Sequence, residues 1–313
     1  MRRIYRSFFS FLVLFSMVSF LLQHSMAPAM AIDRTSAEEN RITRFLVLGC
    51  DGSGRLTDSI LLVAINQKDS TARILQIPRD TYAEYTEGNY KKLNGAMQAL
   101  GASGMKQFLS DALGVKLDYF VALKLDFFKA LVDSLGGVEI EIDRDMEYSD
   151  PSQELEIRLK AGKTLLNGDM AEQFVRYRSG YVNADLGRLD AQKKFLSAFA
   201  KKCKAITLSA LLRVTGLALT GVQTDIGLPA AIRTVGILRG CDADSIPMAT
   251  LSGQALRGKS GAWYYVLNRD GAKRMIGYYM NWEEDPNRVS FDPAGVFDRE
   301  QDADFHHIYT APE

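Results

Sequence analysis

The order of short apolar runs and amphipathic stretches predicts an α/β domain with helices on both faces of one sheet. Three observations carry this. Residues 44–49, 59–66, 71–77, 118–123 and 138–142 are apolar, β-rich runs with the length of buried strands. Helical patterns at 105–113, 126–135 and 228–238 fall between or after them. No internal repeat or linker-like composition interrupts residues 41–282, so one domain spanning 44–282 is expected. Hydrophobic residues at 47% against charged residues at 24% are enough to fill its core.

Taken in order, the chain opens with Arg2, Arg3 and Arg6 ahead of an uncharged apolar run at 7–22 and an A-x-A site at 29–31. Residues 1–31 therefore read as a signal peptide or a signal anchor, with cleavage and retention both open. Positive charge stays inside, so the rest of the chain is expected to be extracytoplasmic. Residues 32–43 are a polar linker. Strand 44–49 runs into a Gly-rich loop holding Asp51, Gly52, Gly54, Arg55 and Asp58. Lys68, Asp69 and Ser70 signal a hairpin between the next two strands. Pro78, Arg79 and Asp80 leave the third strand, and helices are expected up to Leu100 and over 105–113. Asp126 is the expected cap of helix 126–135, which Gly136 and Gly137 end. Residues 143–153 read as an acidic loop, 155–159 as a short strand, and Asn167 as the cap of a helix at 168–174. Helices follow at 185–202, 208–219 and 228–238, strands at 245–249 and 263–267, and a last helix at 269–280. From residue 283 Pro and charge rise and periodicity fades, as in a polar tail.

The 38 basic residues balance 38 acidic ones, and without the three leader arginines the chain is slightly acidic. Sequence-independent nucleic-acid binding is disfavoured on that ground. Cys50, Cys203 and Cys241 are too few for a disulfide framework in a chain this long, and a Cys203–Cys241 pair is left open. The His residues, His24, His306 and His307, lie in the leader and the tail, which removes Ser-His-Asp and Cys-His chemistry.

What remains is a set of acidic and basic residues. Arg176 and Arg178 alternate along an expected extended run, so both would point to one side. Asp185, Arg188 and Gln192 sit at i, i+3 and i+7 on one face of a following helix. Their convergence at a helix N-terminus suits phosphate or pyrophosphate, whose oxygens match guanidinium forks. The plainer reading is a solvated charged helix face. Asp51 and Arg79 both follow expected strands, where ligands of α/β folds sit. Two carboxylates, Asp51 and Asp58, beside arginines suit a hard cation such as Mg²⁺ together with phosphate oxygens.

The ordered motifs V-L-G-C-D, T-D-S-I-L-L-V-A-I-N, I-P-R-D-T-Y, K-L-N-G-A, L-D-F-F-K-A-L-V-D-S-L-G-G-V, L-N-G-D-M-A and V-R-Y-R…D-L-G-R…Q resemble the LytR-CpsA-Psr family of bacterial cell-wall proteins. The resemblance covers residues 44–202 closely and weakens towards 282. It implies a three-layer α/β/α fold with a central mixed sheet. It also implies a phosphotransferase that moves a glycopolymer from a polyprenyl-pyrophosphate carrier to peptidoglycan through a phosphodiester, at the outer face of the membrane. By motif position Asp51 and Asp58 would hold Mg²⁺ or Mn²⁺. Arg79, Arg176, Arg178 and Arg188 would clamp the pyrophosphate with Asp58. Asp185 and Gln192 would orient the arginines, with Lys92 and Arg55 near the substrate. An apolar tunnel for the prenyl chain would draw on residues 108–113, 119–123 and 127–135, where ordinary core is the plainer reading. Two positions depart from the family pattern. Leu56 stands where the family usually has Arg two residues before the second Asp, with Arg55 one residue earlier. Ala191 stands where a basic residue often precedes the final Gln, with Lys193 just after it. A pyrophosphate hydrolase and a non-catalytic module binding polyprenyl lipid or wall polymer are the alternative activities. Export and neutral charge argue against a transcription regulator.

Overall fold

The computed structural model describes residues 42–86, 89–150, 155–177, 221–242, 245–258 and 261–282, and in helical conformation residues 191, 194, 195, 197–199, 201 and 202. The leader, the linker, the tail and the helix expected at 208–219 lie outside the described residues. Among the described residues no helix is long and apolar enough to cross a membrane.

The centre is a mixed six-stranded sheet. β1 (Ile42–Cys50), β2 (Thr57–Asn66) and β3 (Thr71–Ile77) form an antiparallel meander. Its β2–β3 turn is organised by the Asn66 side chain, whose Oδ1 accepts from Lys68 N at 3.0 Å and Asp69 N at 3.4 Å. A hairpin β4 (Tyr82–Thr86) with β5 (Asn89–Lys92) follows, which the sequence did not announce. Helix α1 (Ala96–Leu113) is broken at Gly101, at φ 67° and ψ 175°, into the two helical pieces expected from the pattern. β6 (Tyr119–Lys124) lies parallel to β1. Helix α2 (Leu125–Ser134) starts one residue before Asp126, so Asp126 lies in the first turn and Lys124 is the N-cap residue. Asp126 there still favours the dipole.

β7 (Val138–Ile142) pairs with β10 (Gly162–Leu166) in a small separate ladder. The stretch expected as an acidic loop contains a strand, β8 (Met146–Asp150), paired with β9 (Leu155–Leu159). Met146 is buried, while Glu147, Tyr148 and Ser149 are exposed, so ladder pairing with β9 and not an apolar face makes this segment a strand. Helix α3 (Gly168–Arg176) is capped as expected, with Asn167 Oδ1 accepting from Met170 N at 2.9 Å. Gly168 passes so close to α2 that a Cβ would meet the Lys129 carbonyl oxygen at 2.5 Å.

β11 (Val222–Thr224) adds antiparallel to β6, and β12 (Met248–Thr250) parallel to β3, completing the order β11-β6-β1-β2-β3-β12. Helix α4 (Leu228–Gly240) lies between them in sequence. Cys241 follows it, buried, its Sγ donating to the Ser70 carbonyl at 2.8 Å, while Cys203 lies outside the described residues. A hairpin of β13 (Gly253–Arg257) and β14 (Trp263–Leu267) precedes helix α5 (Arg269–Asn281). Arg44 Nε donates to the Met280 carbonyl at 2.8 Å, and the Arg73 guanidinium lies over the Tyr278 and Trp282 rings, tying this last helix to β1 and β3.

Strand alternation sends side chains to two cores, as a three-layer α/β/α fold requires. Phe45, Val47, Leu61 and Val63 face α2, α3 and the helical residues Phe195 and Phe199. Leu46, Leu48, Ile60 and Leu62 face α1 and α5. This corrects the tunnel expectation. Leu109, Leu113, Phe120 and Ala122 belong to one layer, while Val121, Leu123, Phe127 and Leu131 belong to the other. The three apolar runs therefore cannot line one cavity, because period-2 alternation splits the middle run across the sheet.

Candidate active site

β1, β3 and β6 run in the same direction, so Cys50, Ile77 and Lys124 mark one edge of the sheet. β2 runs the other way and starts at that edge. Asp51, Asp58 and Arg79 are therefore brought together by topology, outside the carboxyl ends of the parallel strands.

Asp51 organises its own loop. It is 1% exposed, and its Oδ1 accepts from Arg55 N at 3.0 Å and Leu56 N at 3.3 Å. Ser53 Oγ donates to the same carboxylate at 2.7 Å. The turn closes with Gly54 N donating to the Asp51 carbonyl at 2.9 Å, and Gly54 has φ 71°, which only glycine adopts without strain. Arg55 meets this site through its backbone N–H, while its side chain is exposed.

Asp58, on β2, is 3% exposed and pairs with Arg79 Nη1 at 2.8 Å. Arg79 lies in the tight turn after β3, where Thr81 N donates to the Pro78 carbonyl at 3.0 Å. The Arg79 carbonyl accepts from Asn94 N at 2.9 Å, which fixes K-L-N-G against the same turn. The cluster continues outward, with Arg79 Nε 3.9 Å from Asp80 Oδ2 and Lys92 Nζ 2.9 Å from Asp80 Oδ1. The thiol of Cys50 senses both carboxylates. It is pushed up to about 12, chiefly by burial and then by the charges of Asp51 and Asp58.

Arg176 requires a correction. It lies in the last turn of α3 and not on an extended run, so it does not alternate with Arg178 along a strand. Its Nη1 pairs with Glu172 Oε1 at 2.6 Å, four residues earlier on the helix. The spacing of Glu172 and Arg176, continuous with apolar Ala171, Phe174 and Val175, was the helical signal in the sequence. Arg178, Asp185, Arg188 and Gln192 lie outside the described residues.

The buried Nε atoms of Arg79 and Arg176 have no hydrogen-bond partner among the described residues. Leaving such a donor unmet costs about 1–3 kcal/mol, which an oxyanion would recover. Asp51 and Asp58 fit a hard cation of the Mg²⁺ class, because Mg²⁺ is commonly held by one or two carboxylates, with substrate phosphates and waters completing its shell. Among the described residues no group of three or more His, Cys, Asp or Glu is gathered as a metal cage.

Residues 21–278 match the model of the LytR_cpsA_psr family. The chain belongs to this family. It is 25% identical over 238 residues to TagV of Bacillus subtilis (strain 168), a polyisoprenyl-teichoic acid–peptidoglycan teichoic acid transferase, covering 73% of this chain and 61% of that protein. It is 28% identical over 248 residues to TagU of Bacillus cereus (strain ATCC 14579), which carries the same description, covering 75% of this chain and 78% of TagU. The chain thus spans less than two thirds of TagV and more than three quarters of TagU. The crystal structure of B. subtilis TagV superposes with a TM-score of 0.62 at 22% identity, covering 77% of this chain and 98% of that one. TagT bound to LI-WTA gives 0.61 at 23% identity, covering 80% and 93%. These neighbours share the mixed-sheet fold of this LytR-CpsA-Psr member.

Proposed function

We propose that this protein transfers a glycopolymer from a polyprenyl-pyrophosphate carrier to peptidoglycan. The single observation that carries the reading is the buried Asp58–Arg79 pair beside Asp51, at the carboxyl ends of the strands of a LytR-CpsA-Psr domain. A hydroxyl oxygen of peptidoglycan attacks the phosphorus that bears the glycopolymer. The bond from that phosphorus to the bridging oxygen breaks, polyprenyl phosphate leaves, and the hydroxyl proton passes to solvent. Such transfer depends on positioning and charge neutralisation more than on covalent chemistry. Arg79 is preset for this by Asp58, which holds one nitrogen while Nε stays available to an oxygen of the donor. Lys92 adds charge at the outer end through Asp80. Mg²⁺, or Mn²⁺, held by Asp51 and Asp58, would supply further neutralisation of the pyrophosphate. Arg178 and Arg188, with Asp185 and Gln192 orienting them, complete the clamp in this reading.

The work is done at the outer face of the membrane, with the segment 1–31 as anchor or as a cleaved leader. The support is the basic start followed by the apolar run. Fractionation in a Gram-positive host tests this; full-length protein in the cytosol would contradict it.

The activity is tested by giving the full-length chain a polyprenyl-pyrophosphate-linked glycopolymer, peptidoglycan and Mg²⁺. The expected product is glycopolymer joined to peptidoglycan by a phosphodiester, with polyprenyl phosphate released. Release of glycopolymer phosphate into solution, with none on peptidoglycan, would identify a hydrolase instead. Carrier bound but unchanged would identify a binding module.

A further inference from the structure

Lys124 was not among the residues that sequence reasoning selected. It is the last residue of β6, in register with Cys50, the last residue of β1. The two parallel strands therefore end side by side, and Lys124 stands next to the Asp51 loop, at the same sheet edge as Arg79 and on the other side of β1 from it. Its Cε lies 3.5 Å from the position a Cβ on Gly54 would occupy, so the side chain reaches along that loop. It is exposed, and among the described residues its ammonium has no ion-pair partner. Other lysines around the sheet are committed: Lys92 to Asp80, Lys106 to Asp225, and Lys129 to Asp169.

We propose that Lys124 is a further substrate-binding residue, whose ammonium contacts diphosphate oxygens from the β6 side of the Asp51 loop. This rests on the diphosphate reading of the site. Two features of this chain give it force. Leu56, between Arg55 and Asp58, carries no charge, and Arg55 meets Asp51 through its backbone N–H with its side chain exposed. Lys124 brings a cation to the β6 side of that loop. The ammonium is a compact point charge on a flexible stem, which needs no planar alignment to serve an oxyanion. Side-chain capping of α2 is not its role, since Lys124 makes no side-chain cap hydrogen bond.

The test measures inorganic pyrophosphate binding to the full-length chain by calorimetry, with Mg²⁺ and without, for wild type, Lys124→Gln, Lys124→Arg and Arg79→Ala. Melting temperature and the KM and kcat of transfer are followed in parallel. Lys124→Gln is expected to weaken pyrophosphate roughly 3- to 10-fold and to raise KM by a similar factor, as befits a partly exposed charge. Its melting temperature should stay at the wild-type value, and Lys124→Arg should keep most of the affinity. If Lys124→Gln binds as wild type while Arg79→Ala loses binding, the site stands and Lys124 is no part of it. If Lys124→Gln lowers the melting temperature and leaves affinity unchanged, its charge serves only to offset the buried carboxylates, which overturns the proposal. If none of the variants changes binding, the diphosphate reading itself fails.

Discussion

At the strand ends, Arg79 and Asp58 pair at 2.8 Å with side chains 8% and 3% exposed. On the β8–β9 hairpin, Lys160 stands 2.9 Å from both Asp145 and Glu147 with its own side chain 73% exposed. By contact distance the two clusters match, and Lys160 is held above its ordinary value chiefly by its hydrogen bond to Asp145. Water and salt screen the hairpin cluster, and holding long side chains there costs entropy, so it contributes little. The buried pair has no such relief. It was costly to desolvate, and removing one partner strands a charge in a place with little access to water. Distance alone therefore does not rank ion pairs in this molecule; burial does, and the buried one stands where chemistry is proposed.

The comparison is broken most directly at Asp58. From sequence, Asp58→Asn should abolish transfer and leave folding intact. The structure alters the second half of that expectation, because Asn leaves Arg79 with only the more distant carboxylate of Asp80. We expect loss of transfer together with destabilisation of about 3 kcal/mol, read by urea unfolding. Unchanged stability would mean that the pair is solvated in solution. A smaller effect is expected at Ser53, whose hydroxyl holds both oxygens of Asp51. Ser53→Ala should cost about 1 kcal/mol and lower transfer several-fold, by loosening the carboxylate without removing it. At the other end of the scale, Lys160→Ala should leave both the melting temperature and transfer at wild-type values. A clear drop in melting temperature would show that the exposed cluster stabilises the fold after all.

Much of this was legible in the sequence because it depends on local pattern. The runs 71–77, 138–142, 155–159 and 263–267 coincide with strands, and Asn167 caps its helix as its residue type and position suggest. Asp51, Asp58 and Arg79 were legible because each lies at or just beyond a strand end, so topology brings them together. Arg176 was misread because V-R-Y-R looks extended in isolation, whereas Glu172 and the apolar face of α3 continue the helix through it. β8 was misread because only Met146 of it is buried, so no apolar alternation marks it, and its pairing with β9 is what makes it a strand. Lys124 was missed for another reason: its importance comes from the parallel pairing of β6 with β1, which no local window contains. The tunnel runs failed similarly, since which face a strand residue takes is set by sheet register.

The central claim is that Arg79, preset by Asp58, binds the reacting diphosphate through its planar fork. The most direct measurement is transfer by Arg79→Lys beside wild type, with the melting temperature of each. Lysine keeps the charge for Asp58 but cannot offer several fixed nitrogens at once. The account predicts a fall in turnover of more than ~10²-fold while the variant still melts cooperatively near the wild-type temperature. Near-wild-type turnover for Arg79→Lys would contradict it.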